Sequence, residues 1–169
     1  DHITLGEALQ DELGERLMVN KEATDEDISN SDVVILSIGT YDSEGWDRPF
    51  DLPDDKENLI LHITSLNPNT IVVVQSGSGI NMSNWNEKAG AIVYAWYGGQ
   101  TGAKAIAEII AGKVGPYRCG GCALGCGAVL KVAVDSQLME MHRPEYESLC
   151  ALGPLLLVDD LDAILLANH

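Results

Sequence analysis

The first 118 residues of this chain contain no cysteine; all four thiols, Cys119, Cys122, Cys126 and Cys150, lie in the last third. With three of them inside eight residues, a disulfide framework is not the reading; the spacing suits metal ligation in a reducing compartment. Long apolar runs are also missing. None approaches the ~18 residues of a membrane helix, so no membrane partner is expected. Positive charge is scarce, with 10 Lys and Arg against 26 Asp and Glu and a net charge of −16. Residues 1–60 alone hold 17 acidic and 4 basic side chains. Such a surface repels phosphate backbones and excludes nucleic acid; its plain role is a solvated, solubilising face. The start, Asp1-His2-Ile3-Thr4, has no Met, no basic residues and no signal-peptide core, and reads as a cut or processed end. The expected compartment is cytoplasmic. Ser76-Gly77-Ser78-Gly79 has no following Lys and is not a phosphate loop.

What is present up to Val114 is an alternation of strands and helices. Leu5, Ala8, Leu9 and Leu13 set a helical period over 5–15, and Leu17–Val19 a short strand; 20–30 reads as an acidic loop with one helical turn. Val33–Gly39 is a continuous apolar run ending at glycine, as in a strand covered on both faces. A long polar loop, Thr40–Pro53, precedes a helix capped by Asp54 or Asp55 and running to Leu66. Ile71–Gln75 and Ala91–Trp96 are further strands, and Thr101–Ala111 a helix closed by Gly112. The fold class is α/β: an open, mostly parallel sheet with helices on both faces, a three-layer sandwich. Ligands of such sheets meet the loops at the carboxyl ends of strands, here 40–53, 76–85 and 97–102. His62 reads as packing or surface, and Trp85 and Trp96 as core or strand-end packing.

The first of these loops carries Asp42-Ser43-Glu44-Gly45-Trp46-Asp47-Arg48. Glycoside hydrolysis needs two carboxyl groups, one of them a proton donor, and an indole can both desolvate a carboxylic acid and stack on a sugar. Glu44 is the candidate acid; Trp46, Asp47 and Arg48 are candidate substrate contacts, with Asp47 and Arg48 pairing to stiffen the loop. By spacing alone, a solvated acidic loop with a structural Asp–Arg pair is the favoured reading.

Wider stretches decide between them. Asp32–Gly39, the Ser43–Arg48 loop, Leu52-Pro53, Asn67-Pro68-Asn69-Thr70 with the strand after it, Ser76-Gly77, and Ala91–Gly102 with its Ala95-Trp96-Tyr97-Gly98-Gly99 resemble, in order, the C-terminal α/β sandwich domain of glycoside hydrolase family 3, the β-glucosidase-like enzymes. The resemblance covers about residues 3–114. It implies that Glu44 is the general acid/base of a retaining glycosidase, that carbohydrate is the partner, and that the nucleophilic Asp sits on a separate barrel domain. Nothing in this chain replaces that barrel, and a retaining pair stands ~5 Å apart. Glycoside turnover therefore requires the missing domain.

After Val114 the pattern changes. Cys119-Gly120-Gly121-Cys122-Ala123-Leu124-Gly125-Cys126 places three thiolates around one soft centre. An iron–sulfur cluster awaiting a fourth ligand fits, as does zinc completed by His142 or Cys150, or three free thiols. Tyr117–Gly127, His142-Arg143-Pro144-Glu145-Tyr146-Glu147, Leu152-Gly153-Pro154 and Asp159-Asp160-Leu161 resemble the middle domain of the aldehyde ferredoxin oxidoreductase family. That resemblance implies a 4Fe-4S cluster on Cys119, Cys122 and Cys126 with an incomplete ligand set. The segments for a tungsten- or molybdenum-bearing pterin are missing, so aldehyde oxidation is not expected. Helices are expected over Arg143–Ala151 and Asp159–Asn168, the latter ending as if cut. Leu155–Val158 would expose apolar surface unless it docks.

The expected organisation is a glycosidase-like α/β domain over 1–114 that folds by itself, and a short, mainly α-helical, cysteine-rich tail over 115–169. The whole reads as a fragment or chimera with neither active site complete.

Overall fold

Thr4 starts the first helix. Its hydroxyl accepts the Glu7 N–H at 3.2 Å, and the Glu7 carboxylate accepts the Thr4 N–H at 2.8 Å, a reciprocal cap. A computed structural model describes residues 3–20, 22–114 and 155–159. Helix α1 (Leu5–Leu13) stops where Gly14 turns to φ 63°, two residues before the apolar period predicts, and a single 3-10 turn leads into strand β1 (Leu17–Val19).

The acidic stretch after β1 holds a second helix, α2 (Asp25–Asn30), where the sequence suggested a loop with one turn. The signal was Thr24-Asp25-Glu26-Asp27. Asp27 N–H donates to the Thr24 hydroxyl at 3.2 Å, and the Asp27 carboxylate accepts the Thr24 N–H at 2.9 Å. Strand β2 (Val33–Gly39) follows, then α3 (Asp54–Leu66), β3 (Thr70–Gln75), β4 (Ala91–Tyr94) and α4 (Gly102–Ile110). Pro53, and not Asp54 or Asp55, occupies the N-cap of α3, and no side chain caps that end. Strand β4 ends at Tyr94 instead of Trp96, because Trp96 adopts φ 47° and cannot extend the ladder.

The strands form one parallel sheet in the order β1-β5-β2-β3-β4, with β5 being Leu155–Asp159. All seven residues of β2 are buried, which explains its unbroken apolar run. Val33 and Ile35, with Val73 and Val93, pack against Leu9 of α1 and Ile106 and Ile110 of α4. Val34, Leu36 and Ile38, with Val72 and Val74, lie under Ile60 and Ile63 of α3, Ile28 of α2 and the fully buried Trp85. The three layers are those the sequence implies.

The fifth strand joins the sheet from outside residues 1–114. Residues 1–114 do not complete the sheet by themselves, since β1 joins it only through β5. Asp159 ends that strand, and the helix expected over 159–168 lies, after Asp159, outside the described residues. Leu157 and Val158 are buried on opposite faces of the sheet, so this apolar run docks edge-on, by strand pairing. Among the described residues, no helix is long and apolar enough to cross a membrane.

Candidate functional site

Because β2, β3 and β4 run parallel, their exit loops meet at one edge. Asp42 lies three residues beyond the end of β2 and gathers all three. One carboxylate oxygen accepts the Thr40 hydroxyl at 2.7 Å and the Gly77 N–H at 2.9 Å; the other accepts the Ser78 hydroxyl at 2.7 Å and the Arg48 Nε at 2.6 Å. From the β4 exit, the Tyr97 hydroxyl donates to the Thr40 carbonyl at 2.6 Å and accepts the Asp42 N–H at 3.0 Å. Burial alone would push the Asp42 carboxyl up. The donors from Ser78, Thr40, Gly77 and Arg48 outweigh it and hold the group well below the usual carboxylate range. Burial in turn raises the Tyr97 phenol above its ordinary value, with the Asp42 charge adding to the effect.

Arg48 extends this knot. Its guanidinium also donates to the Pro49 carbonyl at 2.8 Å, the Ser76 hydroxyl at 3.0 Å and the Gly79 carbonyl at 3.0 Å. The Ser76 hydroxyl in turn donates a hydrogen bond to the Ser78 carbonyl at 2.6 Å. Gly77 is required by this closeness: a Cβ there would lie 2.7 Å from the Tyr97 ring and 3.1 Å from the Asp42 Cβ. The predicted Asp47–Arg48 pair is therefore replaced by Asp42–Arg48. Adjacent residues in a turning chain project apart, while Asp42 sits across the loop from the guanidinium.

Above the knot is an open hollow of about 600 Å³ lined by the Asp42–Arg48 loop, Phe50, Gly77–Gly79 and Tyr97. Ser43–Trp46 forms a tight turn, closed by Trp46 N–H to the Ser43 carbonyl at 3.1 Å, with Gly45 at φ 80°. Glu44 is thus the first central residue of the turn, exposed at its apex, and its carboxyl has no hydrogen-bond partner among the described residues. Trp46 is 59% and Phe50 63% exposed, so both present ring surface. Asp47 is exposed on the same rim. Of the four predicted loop residues, Glu44, Trp46 and Asp47 line the hollow as side chains at its rim, while Arg48 is drawn under it.

Sequence reasoning singled out Glu44 but missed Asp42, Ser76, Ser78 and Tyr97 as a unit. The signal was the position of each, one to three residues past a strand end, which brings polar groups of three loops together. His62 is a surface residue bonded to Asp25 at 2.8 Å. Cys119, Cys122 and Cys126 lie outside the described residues, as do Cys150 and His142.

Residues 2–120 match the family model of the glycosyl hydrolase family 3 C-terminal domain. The chain is 44% identical over 79 residues to the probable beta-glucosidase J of Emericella nidulans, covering 46% of this chain and 9% of that protein. It is 41% identical over 86 residues to a beta-glucosidase of Kluyveromyces marxianus, covering 50% of this chain and 10% of that protein. The crystal structure of a GH3 beta-glucosidase from Bifidobacterium adolescentis superposes with a TM-score of 0.57 at 27% identity, over 68% of this chain and 19% of that one. The chain thus spans about a tenth of the curated relatives it matches. Nothing in these similarities supports the resemblance of residues 117–169 to the aldehyde ferredoxin oxidoreductase family. A match over most of the length, on the same α/β sandwich, means that this chain belongs to the glycosyl hydrolase family 3 C-terminal domain family.

Proposed function

We propose that this chain provides the general acid/base, Glu44, of a β-glucosidase-like retaining glycosidase, and that it acts on O-glycosyl bonds only together with a barrel domain bearing the nucleophile. The observation carrying this reading is the contrast between Glu44 and its support. Glu44 stands at the apex of a tight turn on the rim of an open hollow. The loop that bears it is anchored through Asp42 and Arg48 to the exits of two further strands. A proton donor that must reach a sugar bound by another domain needs both properties: a projecting position and a fixed base. Trp46 and Phe50 offer faces for stacking against a sugar, and Asp47 a hydrogen-bond acceptor for its hydroxyls.

The test is domain replacement. This chain, substituted for the corresponding domain of the Kluyveromyces marxianus enzyme, should sustain hydrolysis of an aryl β-glucoside, whereas the isolated chain should not. Glu44→Gln in the hybrid should cut kcat by about 10²–10⁴-fold for poor leaving groups. An unchanged kcat would remove Glu44 from the role.

A second proposal concerns the cysteine segment, and Cys-x2-Cys-x3-Cys spacing is what favours it. Cys119, Cys122 and Cys126 would supply three thiolates to an iron–sulfur cluster, or to zinc. Anaerobic reconstitution with iron, sulfide and zinc counting tests it; metal-free protein after reconstitution refutes it.

A further inference from the structure

We infer that Tyr97 is a positioning residue for Glu44: its hydroxyl fixes the root of the acid-bearing loop, so that the carboxyl is held at one place over the hollow. The inference rests on the acid/base reading of Glu44. It adds to that reading a residue from a different strand exit, 55 positions from Asp42 along the chain.

A phenol has one proton to give and lone pairs to receive. Tyr97 uses both on the backbone of the loop, at the Thr40 carbonyl and the Asp42 N–H. The Asp42 carboxylate, 3.0 Å from the same oxygen, is a second acceptor for that proton. The two backbone groups flank Tyr41, where the chain has just left β2, and Glu44 comes two residues after Asp42. Thr40 is still tied to β3, its N–H donating to the Gln75 carbonyl at 3.0 Å. Further on, the bond from Trp46 N–H to the Ser43 carbonyl shapes the turn but does not say where the turn sits. The Asp42–Arg48 pair joins the two ends of the loop through side chains. The phenol ties its main chain to the exit of β4.

The backbone is bent where it delivers that hydroxyl. Val93 and Ala95 pack on the face covered by α1, Tyr94 and Trp96 on the face covered by α3. Continued alternation would send Tyr97 to the α1 face. Trp96 breaks the alternation with φ 47°, a value bulky residues rarely adopt. Tyr97 then lies across the β3 exit, with its ring against Gly77. Behind it, Gly98 packs so closely on α4 that a Cβ there would lie 2.5 Å from the Gly102 Cα. Backbone in such a region persists only where its surroundings impose it, and it concentrates at functional sites. A phenylalanine would fill the same space; the hydroxyl is what reaches Thr40 and Asp42. Tyr97 is 53% exposed, so water can replace the hydroxyl and the fold survives its loss. What is lost is the definition of position, to which proton transfer is sensitive.

The hybrid enzyme with the Kluyveromyces marxianus barrel tests this with aryl β-glucosides of graded leaving-group acidity. A phenolate needs the proton of the acid as its bond breaks, whereas a dinitrophenolate departs without it, and kcat/KM follows that step. Tyr97→Phe should lower kcat/KM by about tenfold or more for the phenyl glucoside, less than Glu44→Gln does, and by under about twofold for the dinitrophenyl glucoside. Tyr94→Phe is the matched control: its hydroxyl donates to the Ser78 carbonyl at 2.5 Å, on the neighbouring loop. It should stay within about twofold across the series. An equal loss for every leaving group, no loss for the phenyl glucoside, or the same graded loss in Tyr94→Phe would each overturn the assignment. Glu44→Gln separates it from the reading beneath. Graded loss in Glu44→Gln with none in Tyr97→Phe refutes the role of Tyr97 alone; no graded loss in Glu44→Gln removes the acid itself. A second measurement needs no barrel. In this chain, Tyr97→Phe should speed exchange of the Asp42 amide by about tenfold or more and leave the amides of Leu36 and Val73 protected. Unchanged exchange at Asp42 would overturn the inference as well.

Discussion

Asp42 and Glu44 sit two residues apart in one loop, yet the floor and the rim of the hollow treat them oppositely. On the floor, four donors from two loops saturate the Asp42 carboxylate, and Arg48 is almost buried beside it. On the rim, Glu44 is exposed, with Trp46 and Phe50 presenting their rings nearby. A carboxylate surrounded by donors is locked in its charged form and is useless as a proton carrier. The loop fixes its first acid in a structural knot and leaves its second exposed on the rim.

The contrast breaks most forcefully at Asp42. Asp42→Ala strands the Arg48 guanidinium, whose side chain is only 9% exposed, and should destabilise the fold by about 3–5 kcal/mol. Thermal unfolding should report a fall of roughly 10 °C or more. Next in size is Gly77→Ala, where the added methyl must displace the Tyr97 ring; about 1–3 kcal/mol, read from the urea midpoint, is expected.

Acid sharpens the comparison further. The folded Asp42 carboxyl is held below its unfolded value, so it contributes stability above about pH 4, and that contribution drains as pH falls towards the folded value. The difference in urea midpoint between wild type and Asp42→Asn should narrow steadily from about pH 5 down to pH 2. The smallest effect belongs to the rim. Glu44→Gln should leave stability within about 0.5 kcal/mol of wild type. A loss comparable to that of Asp42→Ala would show that Glu44 carries structure, and the division between floor and rim would fail.

Local patterns in the sequence carried most of the sheet. The runs at 33–39 and 71–75 are continuous because both faces are covered, and the glycine and polar residues after them mark the loop edge. Helices α3 and α4 follow from apolar spacing. The details that escaped depend on partners distant in the chain or on unusual backbone. Trp96 looks like strand and is left-handed. Leu155–Val158 is visibly apolar, but no local pattern says that it enters a sheet whose other strands lie far upstream. The same holds for Arg48, whose acceptor Ser76 lies 28 residues away. Sequence proximity favoured Asp47, and the tertiary fold chose Asp42.

Tyr94 and Trp96 carry one last consequence. Their ring centroids are 5.0 Å apart and tilted by 59°. Chromophores this close and this skewed couple their electronic transitions, so the protein contains a built-in optical gauge. Its dichroic signal would register how β4 delivers Tyr97 to the knot, without any added label.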